Sequence, residues 1–287
     1  MLRQRVITAL VLVALILASL AASSPWPFAG LTLVLMAAAG WEWGRLNQAG
    51  PALAVAMGVA VALGGAAAWA AGWAVQAPAW LWAAALALWV AGGALALRSG
   101  PAAWPQLPRA ARWGLGLLGI WLAWLALAQA RTVGINFMLS VLCLVWMADV
   151  AAYFGGRAFG RRKLAPSISP GKSWEGVWSG WMGVVLLAVF WIWLDDRMVV
   201  DGMRADGPSV YSRLFQQWGA VGLLAALALL AGLSVVGDLV ESLVKRAAGA
   251  KDSSQLLPGH GGVLDRVDAL LPVLPAAMAL VAFGRLA

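Results

Sequence analysis

The sequence predicts an all-α polytopic membrane protein, and three observations carry that expectation. Mean hydropathy is +0.84, with 63% hydrophobic and only 11% charged residues, more apolar surface than a soluble domain of this size could hide from water. Apolar runs recur along the whole chain at about the 20-residue length that a helix needs to cross a hydrocarbon core. Ala and Leu dominate these runs and strand-like alternation is absent, which favours helices over a membrane barrel.

In chain order the runs read as about nine spans, near residues 6–22, 28–44, 52–73, 78–97, 112–129, 133–150, 175–194, 216–237 and 268–285. The first follows "MLRQR" and ends in small residues, a signal-peptide pattern that is also long enough to stay as an anchor. We read it as a retained helix, for a reason of topology given below. Breaks containing Pro, Gly and Arg separate the runs: "SSPWPF", "RSGPAAWPQLPRAAR" and "GGRAFGRRKLAPSISPGKS". Many of the 19 tryptophans fall near proposed span ends, as interfacial anchors would.

Orientation follows from counting basic residues. With the N-terminus in the cytoplasm and sides alternating, 15 of the 20 Lys and Arg residues lie on the cytoplasmic side. The other side then holds only Arg131, Arg197, Arg204, Arg213 and Arg285. This is the bias of the positive-inside rule, and it places the C-terminus on the opposite side. The net charge of +8 therefore reads as membrane orientation, and no basic face interleaved with polar or aromatic readers suggests nucleic acid. A single cysteine, Cys143, in an apolar run excludes a disulfide framework and a thiolate metal set.

Charge also divides the chain. All four lysines, Lys163, Lys172, Lys245 and Lys251, fall in two later cytoplasmic segments, 151–174 and 238–267. Asp195, Asp196, Asp201 and Asp206 crowd an outer loop, 195–215, and read as solvated charge. Asp149, Glu175, Asp238, Glu241, Asp252, Asp265 and Asp268 sit at or near the cytoplasmic boundary, with Glu42 an outlier near the end of the second span. Residues 1–130 thus read as a transmembrane scaffold and 131–287 as the catalytic domain.

If the eighth span continues as helix past Gly237, then Asp238, Glu241 or Ser242, and Lys245 share one face. Lys245, Arg246 and Lys251 follow, and "SSQLLPGHGG" must leave the helix at Pro258 and the glycines. Asp265 and Asp268, three apart, can share a face at the start of the last span. Carboxylates on two helix ends facing a basic loop suit a divalent ion with polyphosphate. Magnesium takes few carboxylates and completes its shell with water and phosphate oxygens. Asp238 and Asp265 could hold such ions, Lys245, Arg246, Lys251 and Arg266 could neutralise phosphates, and the glycines would let backbone amides approach an anion. The competing reading is that these charges pair with one another at the membrane surface. Upstream, Ser173 can cap the seventh span with Glu175 in its first turn, and Lys172 lies beside that helix start. Asp149 reads as a further ligand or a paired surface charge. "GLGLLG", Gly114 to Gly119, satisfies G-x-G-x-x-G but lacks a preceding strand, so helix packing explains it better.

The segment "SLVKRAAGAKDSSQLLPGHGGVLDRVD", Ser242 to Asp268, resembles the signature of phosphatidate cytidylyltransferases, the CDP-diacylglycerol synthases, and "ISPGKSWEG" resembles their second motif. The resemblance implies an integral, bacterial-type inner-membrane enzyme in phospholipid synthesis that joins CTP and phosphatidic acid into CDP-diacylglycerol and pyrophosphate. It implies magnesium held by Asp238 and Asp265, a second cation such as potassium, and a homodimer. Asp238, Asp265, Lys251 and Asp268 become the catalytic candidates. Lys172, Ser173, Ser242, Lys245, Arg246, His260, Gly261, Gly262 and Arg266 become the substrate-binding candidates. Because CTP is cytoplasmic and the motif falls on the side assigned by counting, the resemblance also favours a retained first helix. The lipid phosphate is already largely ionised, its second pKa being about 6. His260 is therefore not needed as a base, and reads as a phosphate or pyrophosphate contact or a loop-shaping donor. A CTP-dependent polyprenol or phytol kinase is the nearest alternative, and a transporter the alternative from another class. The clustering of polar residues at one face and in one half argues against a transporter.

Overall fold

A computed structural model describes residues 2–200 and 206–284, with side chains from residue 6 onward. Asp201, Arg204 and Arg285, used in the charge reading above, lie outside the described residues. Every run expected to span falls on a helix. These are α1 (Leu2–Ala21), α2 (Trp26–Leu46), α3 (Pro51–Ala70), α5 (Ala79–Ser99), α6 (Arg109–Val133), α7 (Ile135–Phe159), α8 (Trp174–Val200), α9 (Val210–Ala247) and α11 (Leu270–Phe283). Short helices α4 (Trp73–Gln76) and α10 (Leu264–Val267) and a 3-10 turn, Trp104–Gln106, complete the helical set. Among the described residues seven helices are long and apolar enough to cross a membrane, and α1 and α2 are not among those seven.

Local sequence explains the helix starts. Pro51 opens α3 where its missing N–H is not needed, and Pro108 immediately precedes α6. Gly219, at φ +66°, breaks α9 into two helical stretches, a backbone conformation that glycine adopts without steric cost. Small residues set the closest helix pair: Gly155 of α7 meets Ser179 of α8, and Gly180 lies against the Ala148 carbonyl. The Gly114–Gly119 stretch packs in part, since Gly116 lies against the Trp43 ring while Gly114 faces open space among the described residues.

The most buried helix is α11. Its residues Leu270 to Val281 are all buried, enclosed by α5, α6, α7 and α9. In contrast α8 turns Met182, Leu186, Val189 and Phe190 outward, the inversion of a soluble surface. This is a multi-pass membrane protein by the length and composition of its helices.

The helical class carries one small addition, a hairpin in which β1 (Lys163–Ala165) pairs antiparallel with β2 (Ser169–Ser173). Helix enters both polar segments, 151–174 and 238–267, since α7 runs on to Phe159 and α9 to Ala247. One expectation needs correction. Asp195 is not solvated loop charge: it lies in α8 and is buried among hydrogen-bond donors. Not every tryptophan is an interfacial anchor: Trp82 and Trp124 are fully buried in the core.

Candidate active site

The site is built where the C-terminal end of α9, the β1–β2 hairpin and the loop before α10 converge. Asp238, Glu241, Ser242 and Lys245 do share one face of α9, because the helix continues unbroken past Gly237. The Ser242 hydroxyl donates to Asp238 Oδ1 at 3.3 Å, and Lys245 Nζ lies 2.6 Å from Glu241 Oε2, one turn away. A Cβ at Gly237 would collide with the Asp268 carbonyl and with Pro272, so this glycine lets α9 and the start of α11 approach.

Each proposed metal carboxylate has its own lysine. Lys172, on β2, places Nζ 2.7 Å from Asp238 Oδ2, and Lys245 places Nζ 2.6 Å from Asp265 Oδ1. The hairpin is thus a device for delivering Lys172 across to α9. The charges do pair with one another, as the competing reading held. The Lys172–Asp238 pair is partly open to solvent while the Lys245–Glu241–Asp265 group is nearly closed. Asp149, Lys172, Ser173 and Asp238 line one pocket together with Gly156, Arg157 and Gly171. Asp268 lies within electrostatic range of Asp238, Asp149 and Lys172, and accepts from the Ala269 amide at 2.8 Å.

The loop from Lys251 to Val263 folds around Asp265. Its Oδ2 accepts from the Ser253 amide at 2.9 Å, the Ser253 hydroxyl at 2.8 Å and the Gly262 amide at 2.8 Å. Gly261 has φ +82°, and a Cβ at Gly262 would collide with the Ser253 hydroxyl and with the Glu42 carboxylate. The glycines are required, but the Gly262 amide serves the chain's own Asp265.

The other candidates have these partners. Arg266 donates from Nε and Nη2 to the His260 carbonyl, at 3.0 and 2.6 Å, and so braces its own loop. The His260 amide closes a turn on the Leu257 carbonyl at 2.8 Å, and the buried His260 Nδ1 has no hydrogen-bond partner among the described residues. Arg246 Nε reaches the Ile168 carbonyl at 3.4 Å and ties α9 to the hairpin turn. Lys251 is exposed in a second polar pocket with Arg45, Asp252, Ser254 and Gln255. Ser173 caps α8 as expected, accepting from the Gly176 amide at 3.2 Å. Glu175 folds back to accept from the amides of Arg161 and Arg162.

Glu42 is the residue that sequence reasoning left aside. It stands on α2, fully buried, and receives hydrogen bonds from Ser253, Ser254, Val263 and Leu264. The one available signal was a carboxylate alone in an apolar run.

Among the described residues no group of three or more His, Cys, Asp or Glu converges that could hold a metal by itself. Paired carboxylates with basic neighbours do suit an ion that takes one or two protein ligands and shares the rest with phosphate and water.

The sequence matches the cytidylyltransferase family over residues 3–283. The chain belongs to that family. A phosphatidate cytidylyltransferase of Pseudomonas aeruginosa is 38% identical over 295 residues, covering 98% of this chain and 97% of the relative. One of Haemophilus influenzae is 47% identical over 142 residues, half of this chain and 44% of the relative. One of Thermotoga maritima is 40% identical over 147 residues, or 51% of this chain and 49% of the relative. The match therefore spans less than half the length of two of these relatives and nearly all of the third. In this chain the paired lysines and carboxylates lie in the C-terminal half, and Glu42 joins them from the other half.

Proposed function

We propose that the protein is a phosphatidate cytidylyltransferase, converting CTP and phosphatidic acid into CDP-diacylglycerol and pyrophosphate. The observation that carries this reading is the pair of lysine–carboxylate contacts, Lys172–Asp238 and Lys245–Asp265, beside helices apolar enough to lie in a bilayer. One substrate is a lipid and the other a polyanionic nucleotide, so a charged site at the end of apolar helices serves both.

The nucleophile is an oxygen of the lipid phosphate, which attacks the α-phosphorus of CTP while pyrophosphate leaves from the opposite side. A phosphate monoester is largely ionised near neutrality, with a second pKa of about 6, so no side chain must take a proton. The barrier is the approach of two anions, and catalysis is mostly positioning and charge neutralisation. Lys172 and Lys245 exchange their carboxylate partners for phosphate oxygens as substrates arrive. Asp238 and Asp265 would hold magnesium, which would supply charge neutralisation at the phosphates. A second, monovalent cation and a homodimer belong to the same proposal. Ser242 steadies Asp238, and Arg266 with His260 keeps the loop closed around Asp265.

The same reading places the site on the cytoplasmic side of a bacterial inner membrane, with about nine spans and the N-terminus in the cytoplasm. The division into a scaffold, 1–130, and a catalytic part, 131–287, is carried with it, qualified by Glu42.

The test is an assay of purified protein in lipid nanodiscs with CTP labelled at the α-phosphate, phosphatidic acid and magnesium. Labelled CDP-diacylglycerol with release of pyrophosphate is the expected result. Release of CDP with a phosphorylated lipid would select a kinase, and solute flux into sealed vesicles without CTP turnover would select a transporter.

A further inference from the structure

Glu42 stands on α2, in the half of the chain that carries none of the motif residues, yet its carboxylate is fully buried against the motif loop. Oε1 accepts from the Val263 amide at 3.0 Å and from the Ser254 hydroxyl. Oε2 accepts from the Leu264 amide at 2.7 Å and the Ser253 hydroxyl at 3.2 Å. An ionised carboxylate offers about four lone-pair sites, and one short stretch of chain fills them all. Burying a charge without such donors is prohibitive, so this contact specifies a carboxylate and not merely a polar group. A glutamine would turn its NH2 group toward a backbone amide, of Val263 or Leu264, that cannot accept it.

The same stretch holds Asp265. Each donor to Asp265 Oδ2 belongs to Ser253 or Gly262, and the Ser253 hydroxyl also reaches Glu42. That hydroxyl has one proton and stands between two carboxylates. Gly262 fits between Glu42 and Ser253 only because it has no Cβ. Asp265 Oδ2 is therefore anchored to a loop that Glu42 anchors, whereas Oδ1 is held by the side-chain ammonium of Lys245 and is the oxygen able to change partner.

We infer that Glu42 is a positioning residue for the cation site. Hydrogen bonds from the Val263 and Leu264 amides and the Ser254 hydroxyl, with the Ser253 hydroxyl shared with Asp265, clamp the Ser253–Leu264 loop so that Asp265 presents one fixed and one exchangeable carboxylate oxygen. The inference rests on the proposed reaction only in taking Asp265 as a cation ligand.

The experiment uses the full chain in nanodiscs and reads Mn2+ binding by electron paramagnetic resonance, with and without CTP, beside thermal melting and magnesium dependence of turnover. Glu42→Gln is expected to weaken Mn2+ binding about tenfold or more and to raise the half-saturating magnesium in proportion. Glu42→Asp, which keeps an acceptor-only group, should recover part of both. A purely structural role predicts a lower melting temperature with unchanged Mn2+ affinity in the folded protein, and that result overturns the inference. If Glu42→Gln does not fold, Ser254→Ala removes one donor without touching Asp265, and about a threefold loss of Mn2+ affinity is expected. Unchanged affinity in that variant is equally fatal. Wild-type protein that shows no Mn2+ binding dependent on Asp265 overturns the inference whether or not it turns over CTP. Glu42-dependent Mn2+ binding in a protein that makes no CDP-diacylglycerol rejects the proposed reaction and keeps the clamp.

Discussion

The two ends of the helix bundle both carry carboxylates, and they satisfy them in opposite ways. At one end Asp195 accepts from Asn136 Nδ2 at 2.9 Å, the Ser209 amide at 3.0 Å and the Ser212 hydroxyl at 2.6 Å. Asn136 is itself fixed, accepting from Trp191 Nε1 and donating to the Gly207 carbonyl. These donors are neutral and short, and they tie α7, α8 and the start of α9 together. At the other end Asp238 and Asp265 each face the ammonium of a long lysine. An amide or a serine hydroxyl cannot follow a substrate, whereas an ammonium on a flexible stem can leave one anion for another. The first arrangement makes a joint and the second makes a site. Glu42 lies at the catalytic end but is satisfied in the manner of the joint, which is why we assign it to positioning.

Substitutions at six positions sharpen this contrast, in descending order of effect. Asp265→Asn or Asp238→Asn removes a proposed cation ligand, and turnover should fall on the order of a thousandfold, as several kcal/mol of charge stabilisation implies. Removing divalent cations with a chelator should do the same to the wild type, reversibly on adding magnesium. Lys172→Met and Lys245→Met should each cost about a hundredfold in kcat/KM, comparable to losing one fixed donor to transition-state charge. Arginine at either position should restore little, because its rigid fork is a poor substitute for a point charge. Asp195→Asn should leave turnover per folded molecule unchanged while lowering unfolding stability by about 1–3 kcal/mol, read from melting in detergent. A turnover loss there would erase the distinction between the two ends. The smallest effect belongs to Ser173→Ala, which removes the cap of α8 and should cost about 1 kcal/mol of stability with the KM for CTP unchanged. A raised KM would return Ser173 to the substrate contacts.

Much of the fold was legible because lipid-length apolar runs have few other uses. Each run expected to span lies on a helix, and the face shared by Asp238, Glu241 and Lys245 followed from helical periodicity alone. The hairpin was missed since "KLAPSISPGKS" is short, polar and rich in turn residues, so it carries no alternating pattern. Asp195 was misread for a related reason: four acids close together look solvated unless one knows that Asn136, Ser209 and Ser212 come to meet one of them.

What the sequence by itself determined was composition-driven: a chain of apolar helices, their approximate limits, and a polar motif confined to one half. These are local properties, set by period, length and the cost of unpaired backbone in lipid. What only the tertiary structure decided was partnership. Lys172 meets Asp238 across 66 positions and Glu42 meets Leu264 across 222, distances over which no pattern in a single sequence reports contact. The physical reason is that a buried charge is tolerated only where donors arrive from elsewhere in the chain, and packing alone brings them.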